Sequence, residues 1–184
     1  MTTESEVCMM TKIKPIKCAS KYFKTSPFYL IQFSGTDKRF LASFCDKEMI
    51  KKFLHLFIDN SVLDLQIRIC ESDNCESRFD VESQINKSKI KDILDKFENF
   101  IFHDGYHDLM IRRPETGDYV VFDEHGLIFI YTNDDYSNIL EQLGLTYKPY
   151  AKVICQYDHW HFRAANGPQD LINLINEFGL TGEE

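Results

Sequence analysis

The sequence predicts an α+β protein, a mainly antiparallel sheet with helices packed on one side. Three observations carry this. Apolar and polar residues alternate over several short runs joined by turn residues, which is the pattern of antiparallel strands. Longer segments repeat apolar residues every three to four positions behind a capping side chain, which is the pattern of amphipathic helices. Hydrophobic residues make up 43% and aromatics 14% of the 184 positions, enough apolar surface for a packed core.

After a tail to about residue 20, Phe28–Phe33 and Phe40–Phe44 read as a hairpin closed by Ser34-Gly35-Thr36-Asp37. Asp46 can cap a helix whose apolar face is Met49, Ile50, Phe53, Leu54 and Phe57. Leu63, Leu65, Ile67 and Ile69 then alternate with polar residues, as in a half-buried strand. Ser88 is placed to cap the next helix, which carries Ile90, Ile93, Leu94, Phe97 and Ile101.

Leu109–Ile111, Tyr119–Phe122 and Leu127–Tyr131 read as a three-strand meander. Gly117 and Gly126 stand in its turns, where a hairpin needs a positive φ. Asn133 or Asp134 can cap a helix carrying Tyr136, Ile139, Leu140 and Leu143, which Gly144 ends. Val153–Cys155 and His159–Phe162 look strand-like, with Trp160 and Phe162 toward the core and His159 and His161 outward. Pro168 opens a final helix with Leu171, Ile172, Leu174, Ile175 and Phe178, and Gly179 closes it.

The polar stretch 71–77 is the natural boundary, giving a flexible tail (1–20), an N-terminal α+β lobe (21–75), and a linking helix with a C-terminal acidic α+β lobe (76–184). Hairpin, acidic cap and helix recur in both halves. Two similar lobes and one continuous sheet are both compatible with that order.

Charge is the most informative property. The chain carries a net charge of −8, with residues 1–100 at +1 and residues 101–184 at −9. Such a region does not suit direct binding of nucleic acid, which needs basic residues against phosphate. A basic protein is the better partner. The acidic start, and the lack of an apolar run of about 20 residues, point away from a membrane and toward the cytoplasm. The irregularly spaced Cys8, Cys18, Cys45, Cys70, Cys75 and Cys155 fit reduced thiols better than a disulfide framework or a zinc ribbon.

No Gly-rich phosphate loop or Gly-x-Ser-x-Gly elbow is present, and nothing calls for a cofactor or a metal. The alternative catalytic residues are His103 with His107, and His159 with His161. Gly105 interrupts the helix that would align the first pair. The second pair shares one face of a strand, suited to acid–base work or to a metal with a third ligand, of which the sequence gives no sign.

The acidic residues Asp104, Asp108, Glu115, Asp118, Asp123, Glu124, Asp134 and Asp135 alternate with Tyr119, Tyr131 and Tyr136 around the meander. Rigid aromatic anchors among charges suit a protein interface. In size, in acidity and in the Asp-rich meander Asp118–Tyr131, the chain resembles the immunity proteins that bacteria pair with secreted toxins. That resemblance implies a non-catalytic protein that neutralises a cognate toxin, such as a basic nuclease, by stoichiometric binding. A small histidine-dependent hydrolase or nuclease and a regulatory interaction module are the alternatives.

Overall fold

The structure, a computed structural model, describes residues 12–15, 26–35, 37–44, 46–71, 78–80 and 84–182. Eleven strands are found among them: β1 (Ile13–Pro15), β2 (Phe28–Ser34), β3 (Asp37–Ser43), β4 (Gln66–Glu71), β5 (Arg78–Asp80), β6 (His107–Arg112), β7 (Tyr119–Phe122), β8 (Leu127–Tyr131), β9 (Thr146–Tyr147), β10 (His159–His161) and β11 (Thr181–Gly182). The helices are α1 (Lys47–Asp59), α2 (Lys87–Lys96), α3 (Glu98–His103), α4 (Ser137–Gln142) and α5 (Gly167–Phe178). No helix among the described residues is long and apolar enough to cross a membrane.

One sheet of nine strands runs through both halves, in the order β11-β5-β4-β6-β7-β8-β3-β2-β9. Its neighbours are antiparallel except β2 with β9. Of the two arrangements open to the sequence, the chain adopts the continuous sheet. The first hairpin joins the meander through β3 and β8, with Leu41 opposite Phe129, and β4 joins it through β6, with Ile67 opposite Ile111.

The alternation of the strands divides their side chains between two clusters. Tyr29, Phe40, Ala42, Ile128 and Ile130 belong to the main core with the helix residues Phe53, Leu94, Leu140 and Leu174. Their strand neighbours Phe28, Leu30, Leu41 and Leu127 form a smaller cluster with Val153.

Several local expectations are corrected. Asn86, not Ser88, caps α2, its side chain accepting from Ser88 N at 2.9 Å. The linking helix breaks at Phe97, which ends α2 and precedes α3. Tyr136 precedes α4 instead of lying within it, and Asp135 accepts from Ser137 N at 2.9 Å. Val153–Cys155 is not a strand. Gln156 N and Tyr157 N bond to Val153 O and Ile154 O, so a 3-10 turn at Ile154–Gln156 uses groups that a sheet neighbour would need.

Ile13–Pro15, inside the segment read as a tail, pairs with β10 in a separate two-stranded ribbon. The ribbon also reverses the expected facing of β10. Trp160 is 67% and Phe162 45% exposed, while His159 and His161 are half-buried. The histidine face turns inward because its ring nitrogens bond to the backbone of neighbouring loops. Cys70 and Cys155 carry free thiols; Cys8, Cys18, Cys45 and Cys75 lie outside the described residues.

Candidate functional site

Cross-strand registry builds the first candidate. Tyr119 on β7 lies directly opposite Tyr131 on β8, and their rings stack at 4.3 Å and 14°. Tyr131 is in turn opposite Arg39 on β3, which is opposite Gln32 on β2. Arg39 donates to Gln32 Oε1 and to the Tyr131 hydroxyl, both at 2.8 Å, and its guanidinium covers the Phe129 ring at 4.9 Å. Four strands thus hold one polar and aromatic row in place. The row borders an open groove of about 900 Å³, whose edge includes Asp118, Asn133 and Phe33, the last 71% exposed. Burial, then the neighbouring Tyr131, raises the Tyr119 phenol above its ordinary value.

Most of the predicted acids are taken up by the backbone. Asp104 is buried and accepts from Tyr106 N at 3.0 Å and Ala164 N at 2.9 Å. Burial alone would raise its pKa, but His107 and these amides hold it low. Asp108 accepts from Glu124 N at 2.7 Å, and burial with the charge of Asp123 raises its pKa. Asp118 is buried against Thr116, with Arg113 4.0 Å away. Asp123, also buried, accepts from His125 N and Leu127 N at 3.1 and 2.7 Å.

Glu115 accepts from Ser61 Oγ and Val62 N. Tyr136 lies in the core, its hydroxyl accepting from Arg113. Glu115, Asp134 and Asp135 are exposed and Glu124 half-exposed. Of the predicted interface residues, the groove gathers Asp118, Tyr119 and Tyr131. Acids in short turns look the same in sequence whether they face solvent or satisfy amides.

The histidines separate. His103 is exposed at the end of α3, whereas His107 is buried, stacked on Phe100 at 4.5 Å, with Nδ1 3.4 Å from Asp104. Burial, then the nearby Lys12 charge, pulls the His107 pKa down to about 4. Lys12 is itself buried, donating to His107 O at 2.9 Å, and burial lowers its pKa to about 8 against the pull of Asp123, Asp108, Asp104 and Glu124.

His159 and His161 stay together, Nε2 to Nε2 at 3.1 Å. A third ring that sequence reasoning missed, His125 in the β7–β8 turn, lies 5.0 and 5.1 Å from them between centroids. The one available signal was its place beside Asp123 in a tight turn. Its Nδ1 lies 3.0 Å from Asp123 Oδ2; burial opposes protonation, but the Asp123 hydrogen bond and the surrounding acids hold its pKa above the ordinary value.

Gly105 closes this corner. Its N–H donates to Phe162 O and its carbonyl takes His161 Nδ1 at 2.6 Å, while a Cβ there would meet Lys12 O at 2.5 Å. No protein-family model, curated protein or solved structure matched the chain.

Proposed function

We propose that the chain is a non-catalytic binding protein that seats a basic protein partner in the groove bordered by Tyr119 and Tyr131. The stacked tyrosine pair carries this reading. It is an aromatic surface already fixed by Arg39 and by strand pairing, so little side-chain freedom is lost on binding. The −9 of residues 101–184 favours a basic partner by steering its approach. In the form suggested by the immunity-protein resemblance, that partner is a toxin, such as a basic nuclease, neutralised by stoichiometric binding. A histidine-dependent hydrolytic activity is the second reading, favoured by the convergence of His125 with His159 and His161.

Affinity purification from the source cell tests the first reading. Wild-type protein should retain one basic protein that salt elutes, and the Tyr119→Ala/Tyr131→Ala variant should lose it while keeping its circular-dichroism spectrum. Equal retention by both proteins would remove the groove from consideration, and an acidic partner would defeat the charge argument.

A further inference from the structure

We propose that His125, His159 and His161 form a binding site for one divalent first-row transition-metal ion of the zinc class. This inference is independent of the groove. Its foundation is the hydrogen bonding of the two histidines on β10. His159 Nδ1 lies 2.6 Å from Tyr157 O, and His161 Nδ1 lies 2.6 Å from Gly105 O. A carbonyl oxygen only accepts, so each Nδ1 carries the proton. A ring that carries no second proton then presents a bare Nε2 lone pair, and the two Nε2 atoms face one another at 3.1 Å. Two bare lone pairs at that distance repel unless a shared proton or a metal ion lies between them.

The arrangement has the dimensions of a metal site. Zinc–nitrogen bonds of about 2.0–2.1 Å in a tetrahedron place neighbouring nitrogens about 3.3 Å apart, close to the separation observed. One donor atom from each of the three histidines lies within 4.8 Å of the others. His125 has its Nδ1 beside the Asp123 carboxylate at 3.0 Å, which leaves Nε2 to face an ion. All three rings are therefore oriented by an acceptor behind them, two carbonyls and one carboxylate, the outer shell that metal-binding imidazoles require. Asp123 is itself held by two backbone amides.

Electrostatics favours a cation here. Asp123, Glu124 and Asp108 surround His125, and the buried ammonium of Lys12 is the opposing charge, itself offset by Asp104, Asp108, Asp123 and Glu124. No other His, Cys, Asp or Glu among the described residues joins the cluster. Three protein nitrogens leave the fourth tetrahedral position to water, the composition of open rather than closed zinc sites.

The test uses untagged, metal-stripped full-length protein titrated with Zn²⁺ by calorimetry and with Co²⁺ by absorption. One equivalent should bind per chain, and cobalt should show the visible bands of a tetrahedral nitrogen–oxygen site. His125→Ala and His161→Ala should each weaken binding at least about 100-fold, and Asp123→Asn about 10- to 100-fold. His125→Ala leaves the bonds from Asp123 to Leu127 N and the turn backbone in place, so it remains informative if His161→Ala or Asp123→Asn does not fold. Absence of saturable binding by the folded wild type would overturn the proposal. So would undiminished binding by folded His125→Ala, or a thiolate charge-transfer band showing that cobalt sits on cysteines.

Discussion

His107 is sealed against Phe100 and faces the backbone-bound ammonium of Lys12, so it folds neutral. Its folded pKa of about 4 lies below the ordinary 6.5, which fixes the sign of its linkage. The contribution is whole above pH 6.5. Below that, the unfolded chain binds a proton that the folded chain refuses until about pH 4, so stability falls by about 3 kcal/mol across this window. Urea midpoints at about pH 7 and about pH 4.5 should therefore converge in His107→Phe, which keeps the stack and cannot titrate; equal acid sensitivity in both proteins would assign the loss to another group.

Single residues were legible in sequence where their role is local. Gly117 and Gly126 have φ of 78° and 76°, as their hairpin turns demanded. Trp160 was legible in period but not in facing, because the strand that orients it is β1, distant in the chain. His125 was invisible as a ligand candidate for the same reason, since its companions lie on another sheet.

At the level of elements, periodicity found the longer strands and helices and, apart from β10, missed the short strands. β5, β9 and β11 hold three, two and two residues, too few for an alternation to register, and each exists because a longer neighbour offers its edge. Caps are the finer error: Asn86 and Ser88 are both good capping residues two positions apart, and only the backbone reveals which one accepts. Asn86→Ala should cost about 1 kcal/mol, whereas Ser88→Ala should stay within about 0.5 kcal/mol. Thermal or urea denaturation will check this, and the reverse order would return the cap to Ser88.

For the molecule as a whole, the α+β class was legible and the strand order was not, because hydrophobic pattern says which face is buried and nothing about which edge is met. The outcome has a thermodynamic signature. With β3 paired to β8 and β4 to β6, the two halves should unfold as one cooperative unit. Near-ultraviolet and far-ultraviolet circular dichroism should report one coincident urea transition, and residues 76–184 alone should not fold, since β6 and β8 would each lose a neighbour. Two separated transitions would show that the halves are independent after all.

The ribbon that pairs Ile13 with His161 also imposes an order in time. About 150 residues separate the two strands, so a chain made at roughly 5–20 residues per second exposes β1 for roughly 8–30 s before β10 exists. The nine-stranded sheet needs β11, later still. The corner that gathers Lys12, Gly105 and the three histidines is therefore finished only after β10 has been made, and a ribosome-bound nascent chain stalled before residue 159 cannot assemble it.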